Sequence, residues 1–106
     1  NQILDKTLII FFDKNEYQKF FFVNNTSFLN KKIDWIIVIN NELLNLIYSE
    51  LIILEKKITD FNKSLIIVCY DFIISSKFEQ FKITPTLEEA KDLIQFDRIE
   101  RDIYKL

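Results

Sequence analysis

The sequence contains no histidine, no glycine and only one cysteine among its 106 residues, and each absence excludes a kind of chemistry. Without histidine, the chain lacks the usual general base at neutral pH and the commonest side-chain ligand of transition metals. Without glycine, it lacks the residue that lets a phosphate-binding loop approach its ligand closely. The single cysteine, Cys69, can form neither an internal disulfide nor a redox pair. We therefore expect a protein that is not an enzyme and that binds no metal and no cofactor.

Charge and hydropathy place the chain among ordinary globular proteins, and we expect a single domain covering residues 1–106. Hydrophobic residues make up 49% and charged residues 28%, with 14 basic against 16 acidic side chains. The basic residues form no visible stripe, so we do not expect direct binding to nucleic acid. The apolar runs are too short and too interrupted by charge to span a membrane. No signal peptide is visible, although an opening at Asn1 is compatible with the loss of an initiator Met or a longer leader.

Four apolar segments have the length and composition of buried strands. They are Thr7–Phe12, Asp34–Ile39, Leu65–Tyr70 and a short segment at Phe81–Thr84. The near-continuous hydrophobicity of the longer segments is typical of strands that are covered on both faces. Cys69 lies inside the third segment, so we expect an inert core thiol and a reducing, cytoplasmic location. Residues 1–6 either add an edge strand or are frayed.

The segments between these strands are long enough to contain helices. Residues 16–30 fit an amphipathic helix, which we favour, although Phe20–Val23 alone would fit a strand. Residues 43–61 contain a second helix whose most regular part is Ser49–Asp60, and residues 75–80 fit one helical turn. Strands that alternate with helices predict an α/β fold with a largely parallel or mixed sheet of about four strands. The predicted order is β-α-β-α-β-β-α plus a short C-terminal helix.

The last quarter of the chain holds the clearest start of a helix. Pro85 forces the preceding residue into an extended conformation, and Thr86 with Glu89 has the spacing of a capping box. The following turns place apolar residues on one face, namely Leu87, Ala90 and Ile94. We expect this face to pack on the sheet.

Beyond Gln95 the apolar face of this segment changes direction. A second apolar stripe is rotated by roughly 150° from the first; it consists of Phe96, Ile99, Ile103 and Leu106. One straight helix cannot bury both faces against one sheet, and Asp97 with Glu100 repeats a cap-like spacing. We therefore predict a break near residue 96 and a short second helix.

This tail is the candidate interface, for a protein partner or a homodimer in preference to an intramolecular contact. Its predicted contact residues are Phe96, Ile99, Arg101, Ile103, Tyr104 and Leu106. Charges that alternate in sign between Asp97 and Asp102 would form the rim of such an interface. We expect that deleting residues 97–106 would abolish the association and leave the fold intact.

Two short motifs of the last quarter carry a family resemblance: Pro85-Thr-Leu-Glu-Glu-Ala90 and Glu100-Arg-Asp102. A helix that opens with P-T-x-E-E-A and ends in E-R-D before a hydrophobic residue resembles the STAS domain, the fold of bacterial anti-sigma factor antagonists. The narrower resemblance is to small STAS-like proteins of Bacteroidetes. The spacing of the longer apolar strands extends the resemblance more loosely over most of the chain. It implies a STAS-like domain that acts without catalysis by docking to a protein partner.

The same resemblance points to one candidate regulatory residue, Ser49. In antagonists the phosphorylated serine stands at the start of the second helix, in a pattern resembling I-D-S-S-G-L. The corresponding stretch here reads Ile47-Tyr48-Ser49-Glu50-Leu51. Ser49 matches the phosphorylated Ser, but Tyr48 replaces the other Ser, Ile47 replaces the Asp and Glu50 replaces the Gly. The carboxylate of Glu50 would repel a phosphate. We expect Ser49 to be a plain helix N-cap and not a phosphorylation switch.

Two other functions stay open. Some of the similar Bacteroidetes proteins carry the name ribonuclease Z by association with a tRNA-processing nuclease, whose metal site is a cluster of His and Asp; a chain without histidine could be only an accessory companion of that enzyme. A nucleotide-binding or hydrolytic domain is the weaker alternative. Three aspartates near the ends of apolar segments, Asp13, Asp60 and Asp71, are interpreted as caps and turns, and Trp35 as half-buried core.

Overall fold

The computed structural model describes residues 2–13 and 32–104. The strands are β1 (Gln2–Leu4), β2 (Thr7–Phe11), β3 (Asp34–Val38), β4 (Leu65–Val68) and β5 (Lys82–Thr84). The helices are α1 (Asn41–Leu46), α2 (Tyr48–Asp60) and α3 (Leu87–Tyr104), and a 3₁₀ turn covers Ser76–Phe78. The predicted α/β class is confirmed. The helix favoured at residues 16–30 lies outside the described residues.

The strands form one sheet in sequential order, β1-β2-β3-β4-β5. Strands β2 to β5 are parallel, and β1 pairs antiparallel with β2, so the first residues do add an edge strand. The two residues of the turn between them, Asp5 and Lys6, have positive φ angles of 52° and 61°. A two-residue hairpin with a type I′ turn requires positive φ at both positions. Because parallel strands start at one edge, Thr7, Asp34 and Lys82 all lie there. We call this the amino edge.

Both faces of the sheet are covered, which explains the near-continuous hydrophobicity of its strands. One face packs against α1 and α2, with Leu8, Ile10, Ile37 and Ile67 pointing toward these helices. The other packs against α3, with Ile9, Ile36, Ile66 and Val68 meeting Ala90 and Ile94. Trp35 is only 1% exposed, so the prediction that it is half-buried is wrong. It lies on β3, at the centre of the sheet, where neighbouring strands and the helical layer enclose it.

The helical region predicted at residues 43–61 is two helices joined at Ile47. α1 begins at Asn41, where the side chain of Asn40 accepts a hydrogen bond from the amide of Leu43 at 2.8 Å. The buried residues of α2 are Leu51, Leu54 and Ile58, which share one face of the helix. α2 ends at Asp60, and Asn62 follows in the left-handed conformation, φ 59°, which asparagine adopts more readily than other residues besides glycine.

α3 begins where the sequence predicts and continues without a break for 18 residues. The hydroxyl of Thr86 accepts a hydrogen bond from the amide of Glu89 at 3.2 Å, which is the first half of the predicted capping box. The predictions of a break near residue 96 and of a separate short helix are wrong. The face that Ala90 and Ile94 turn toward the sheet is continued by charged side chains, and their ion pairs hold the second half of α3 in line with the first.

Candidate functional site

The second half of α3 is fixed to the amino edge of the sheet by a network of charged and hydroxyl side chains. Its members lie on the first turn, at the starts of the parallel strands and on α3: Asp5, Thr7, Asp34, Ser64, Lys82, Asp97, Arg98 and Arg101. We call this set the amino-edge network. Every parallel strand is joined to it at or just before its first residue, so the helix touches the whole edge.

Asp34 is the centre of the network and is 1% exposed. Arg101 donates to both carboxylate oxygens at 3.1 and 3.2 Å, Arg98 donates from Nε at 2.9 Å, and the amide of Ser64 donates at 2.8 Å. Burial by itself would raise the pKa of Asp34, but these hydrogen bonds and the charge of Arg101 outweigh it and hold the pKa below the ordinary value of 3.8. Asp34 is therefore an ionised anchor and not a proton donor at neutral pH.

A second carboxylate, that of Asp97, extends the network to β5. Both of its oxygens accept from Lys82 Nζ at 2.8 Å, and one also accepts from the hydroxyl of Ser64 at 2.7 Å. Ser64 in turn accepts from Arg101 at 3.2 Å, which joins the Asp97 and Asp34 parts into one chain of contacts. The buried polar side-chain atoms in the described part of the chain all have hydrogen-bond partners.

An open cleft of about 620 Å³ lies beside this network, and its lining includes Asp34, Arg98 and Arg101 together with Lys32 and Phe61. The cleft is open and highly charged, unlike the enclosed, mostly apolar pockets that bind small molecules. Asp34 and the two arginines bind one another and fix α3 in place.

The opposite face of α3 carries three large apolar side chains that are more than half exposed. The exposed fractions are 56% for Phe96, 59% for Ile99 and 59% for Ile103, and we call these three residues the α3 stripe. They are three of the six predicted interface residues. Tyr104 ends the helix, and Leu106 lies outside the described residues. The exposure of the α3 stripe leaves it available to a partner.

The sixth predicted interface residue, Arg101, does not lie beside the α3 stripe. Its guanidinium points to the amino edge and bonds Asp34 and Ser64, and Arg98 is turned the same way. The two arginines were expected to give the interface a rim of alternating charge, and this expectation is wrong. What remains beside the α3 stripe is acidic, including the exposed Glu100, whereas Asp102 lines the cleft at the amino edge.

Ser49 is exposed but does not cap a helix. It is the second residue of α2, and the N-cap position is occupied by Ile47, which offers no side-chain acceptor. The amides of Ile47 and Leu51 donate to the carbonyls of Leu43 and Ile47, so that α1 ends and α2 begins at Ile47. The prediction that Ser49 is an N-cap is wrong.

The carboxyl ends of the strands, where ligands of α/β folds usually bind, carry turn-forming contacts. The carboxylate of Asp71 accepts from the amide of Asn41 at 2.9 Å, the capping role predicted for it, and Asn41 accepts from the amide of Ile73 at 3.1 Å. Burial and the nearby charge of Asp71 raise the pKa of the Cys69 thiol to about 12, as expected for an inert core thiol. Within residues 2–13 and 32–104, no three potential metal ligands come together.

Comparison with protein-family models, curated proteins and solved structures finds no significant match. Among the described helices, none is both long and apolar enough to cross a lipid bilayer.

Sequence reasoning missed the amino-edge network because it followed only apolar residues along α3. Asp97 and Arg101 lie three and seven positions after Ile94, so the inward face continues through them at helical spacing. Extending the helical period past Gln95 without regard to polarity would have placed both residues against the sheet. Their partners could not be identified in this way, because they lie on other elements: Arg101 binds Asp34, 67 positions away, and Asp97 binds Ser64 and Lys82, 33 and 15 positions away.

Proposed function

We propose that this chain is a non-enzymatic, STAS-like protein-interaction module that docks to its partner through the α3 stripe. The observation that carries the proposal is the exposure of Phe96, Ile99 and Ile103 on one helix face. Burying a large apolar side chain completely contributes roughly 1.5–3 kcal/mol of favourable free energy. Three such side chains in one row would therefore contribute substantially to the free energy of association.

The fixed position of α3 supports this proposal. The amino-edge network binds the second half of the helix on its polar side, and the apolar side faces solvent. A preorganised helix face binds with a smaller loss of conformational entropy than a flexible segment does. The buried carboxylates of the network, Asp34 and Asp97, are each bound by basic groups, and this pairing suits an anchor better than an acid–base catalyst.

The STAS-like part of the proposal rests on the resemblance of the motifs Pro85–Ala90 and Glu100–Asp102 to anti-sigma factor antagonists, together with the α/β class of the fold. The module would differ from a phosphorylation-controlled antagonist, because Tyr48 and Glu50 replace the residues that flank the phosphorylated serine and the carboxylate of Glu50 would repel a phosphate. We therefore propose docking that is not controlled by phosphorylation of Ser49.

Site-specific photo-cross-linking in the source cells tests the docking surface. A photoreactive amino acid at Ile99 should yield a discrete cross-linked species that contains a second protein. The matched control is Ile53, an isoleucine of α2 with a similar exposed fraction of 56%, which should yield none. Identical products from both positions, or none from Ile99, would refute the proposal. Recovery of a tRNA-processing nuclease from Ile99 would identify the module as a companion of that enzyme.

A further inference from the structure

The charge around the α3 stripe determines which partner it can accept. α3 carries three basic residues, but Arg98 and Arg101 are bound to the amino edge. Four exposed carboxylates remain on or beside the outward face: Glu88, Glu89, Asp92 and Glu100. At 100° per residue they lie within about 70° of the middle of the α3 stripe, whereas Lys91 lies about 110° away. Asp102 is also exposed but lines the cleft beside the amino-edge network. None of the four forms an ion pair within the described part of the chain.

The stability of the helix explains only part of this charge. Glu88 and Glu89 lie in the first turn, where negative charge is favourable. Glu100 lies just before the last turn, toward the end of the helix where the macrodipole favours positive charge instead. Glu88 and Asp92 are also four residues apart, a spacing at which like charges repel. An acidic surround that opposes helix stability at one end is better explained by a partner.

The same charges exclude several occupants of the α3 stripe. A second copy of the chain would bring this acidic face against itself, because symmetric dimers place the same patch on both sides of the contact. An anionic membrane surface or a nucleic acid would be repelled in the same way. A protein segment with basic residues beside its apolar ones would be attracted.

The shape of the α3 stripe favours a helical segment. Its residues follow one another at i, i+3 and i+7, which forms a straight row about 10 Å long. A row of this kind packs against apolar residues that repeat at the same spacing on a second helix. We infer that the α3 stripe binds a basic amphipathic helix of another protein. This inference rests on the proposed function and names the chemistry of the partner.

Two designed helical peptides of equal length test the inference. Both carry the same leucine stripe, flanked by lysines in one and by glutamates in the other. Fluorescence anisotropy with the full chain should show that the lysine peptide binds roughly tenfold more tightly, since several rim charge pairs add small increments. Amide NMR shifts on addition of the lysine peptide should be confined to residues 88–104.

Variants separate a specific site from general attraction to an acidic protein. Ile99→Asp should weaken binding of the lysine peptide at least roughly tenfold, because it places a charge in the apolar contact. Glu100→Lys should weaken it roughly threefold, whereas Glu50→Lys, a matched change on the exposed side of α2, should leave it unchanged.

Three results would overturn the inference. They are equal or tighter binding of the glutamate peptide, equal losses from Glu100→Lys and Glu50→Lys, and a cross-link from Ile99 that joins two copies of this chain. The cross-linking experiment tests the proposed docking surface independently of the chemistry of the partner. A foreign partner captured at Ile99 through a segment without basic residues would refute the basic helix and leave the docking surface standing.

Discussion

Asp34→Asn is the substitution that most directly probes how α3 is held. Asparagine keeps the shape of the side chain but removes its charge, and its amide nitrogen would place a donor against the donors of Arg98 or Arg101. Asp34 accepts four hydrogen bonds, three of them from these guanidinium groups. Both arginines would therefore lose their main counter-charge in a partly enclosed site.

We expect the substitution to lower the free energy of unfolding by about 3 kcal/mol. Removing one partner of a buried ion pair usually costs about 3–5 kcal/mol. The lower end applies here because the arginine side chains are 22% and 16% exposed and can partly rehydrate, and because Arg98 keeps its contact with Asp5. A domain of this length has a total stability of roughly 5–15 kcal/mol, so the loss would be a large part of it.

Urea unfolding of the wild type and the variant at pH 7 measures this difference, with Asp60→Asn as the control because Asp60 is an exposed aspartate at the end of α2. The control should change stability by less than about 0.5 kcal/mol. The pH dependence separates charge from shape. Because the pKa of Asp34 is lowered in the folded state, its stabilisation is complete above its unfolded value near 3.8 and is lost as the pH falls through the folded value. A loss below about 1 kcal/mol at pH 7, or one that persists undiminished at acidic pH where both proteins still fold, would contradict an electrostatic anchor.

Three further predictions follow from the same contacts. Ser49→Ala should not cost the roughly 1 kcal/mol expected for a lost helix cap, and thermal unfolding should show little change or a slight gain, because alanine is the better helix former; a loss of that size would restore the capping role. The thiol of Cys69, with its pKa raised to about 12, should react with a disulfide reagent at pH 8 far more slowly in the folded chain than in urea, and equal rates would refute its burial. Ending the chain after Phe96 should abolish cooperative unfolding, because it removes Asp97, Arg98 and Arg101; a stable truncated chain would instead support the view that the tail is dispensable.

The elements of the sheet could be predicted because their cause is local. Runs such as Leu65–Val68 are apolar at every position, and a strand covered on both faces requires that composition. The start of α3 was equally accessible, since Thr86 and Glu89 interact over one turn. In both cases the physical reason and the residues that reveal it lie within a few positions of each other.

The side chains of the amino-edge network bind residues that are distant in sequence. The local sequence around each of them therefore does not reveal which way it points. Arg101 is charged, and charged residues on a helix usually face solvent, so its inward direction follows only from Asp34 on a different element. Ser49 likewise lies inside α2 because that helix begins one residue earlier, at Tyr48. The exposed α3 stripe could be predicted from helical spacing alone, whereas the inward direction of Arg98 and Arg101, which leaves its surround acidic, could not.

The contact between Arg98 and Asp5 also bears on how the chain is made. It joins residues 93 positions apart, near the two ends of the described chain. During synthesis from the N-terminus, the sheet face formed by Ile9, Ile36 and Ile66 stays uncovered until α3 has emerged from the ribosome. Contacts of such long sequence separation form slowly, and an uncovered apolar sheet face is prone to aggregation. The nascent chain therefore passes through an aggregation-prone state in which one apolar face of the sheet is exposed. This state ends only when α3 packs against that face.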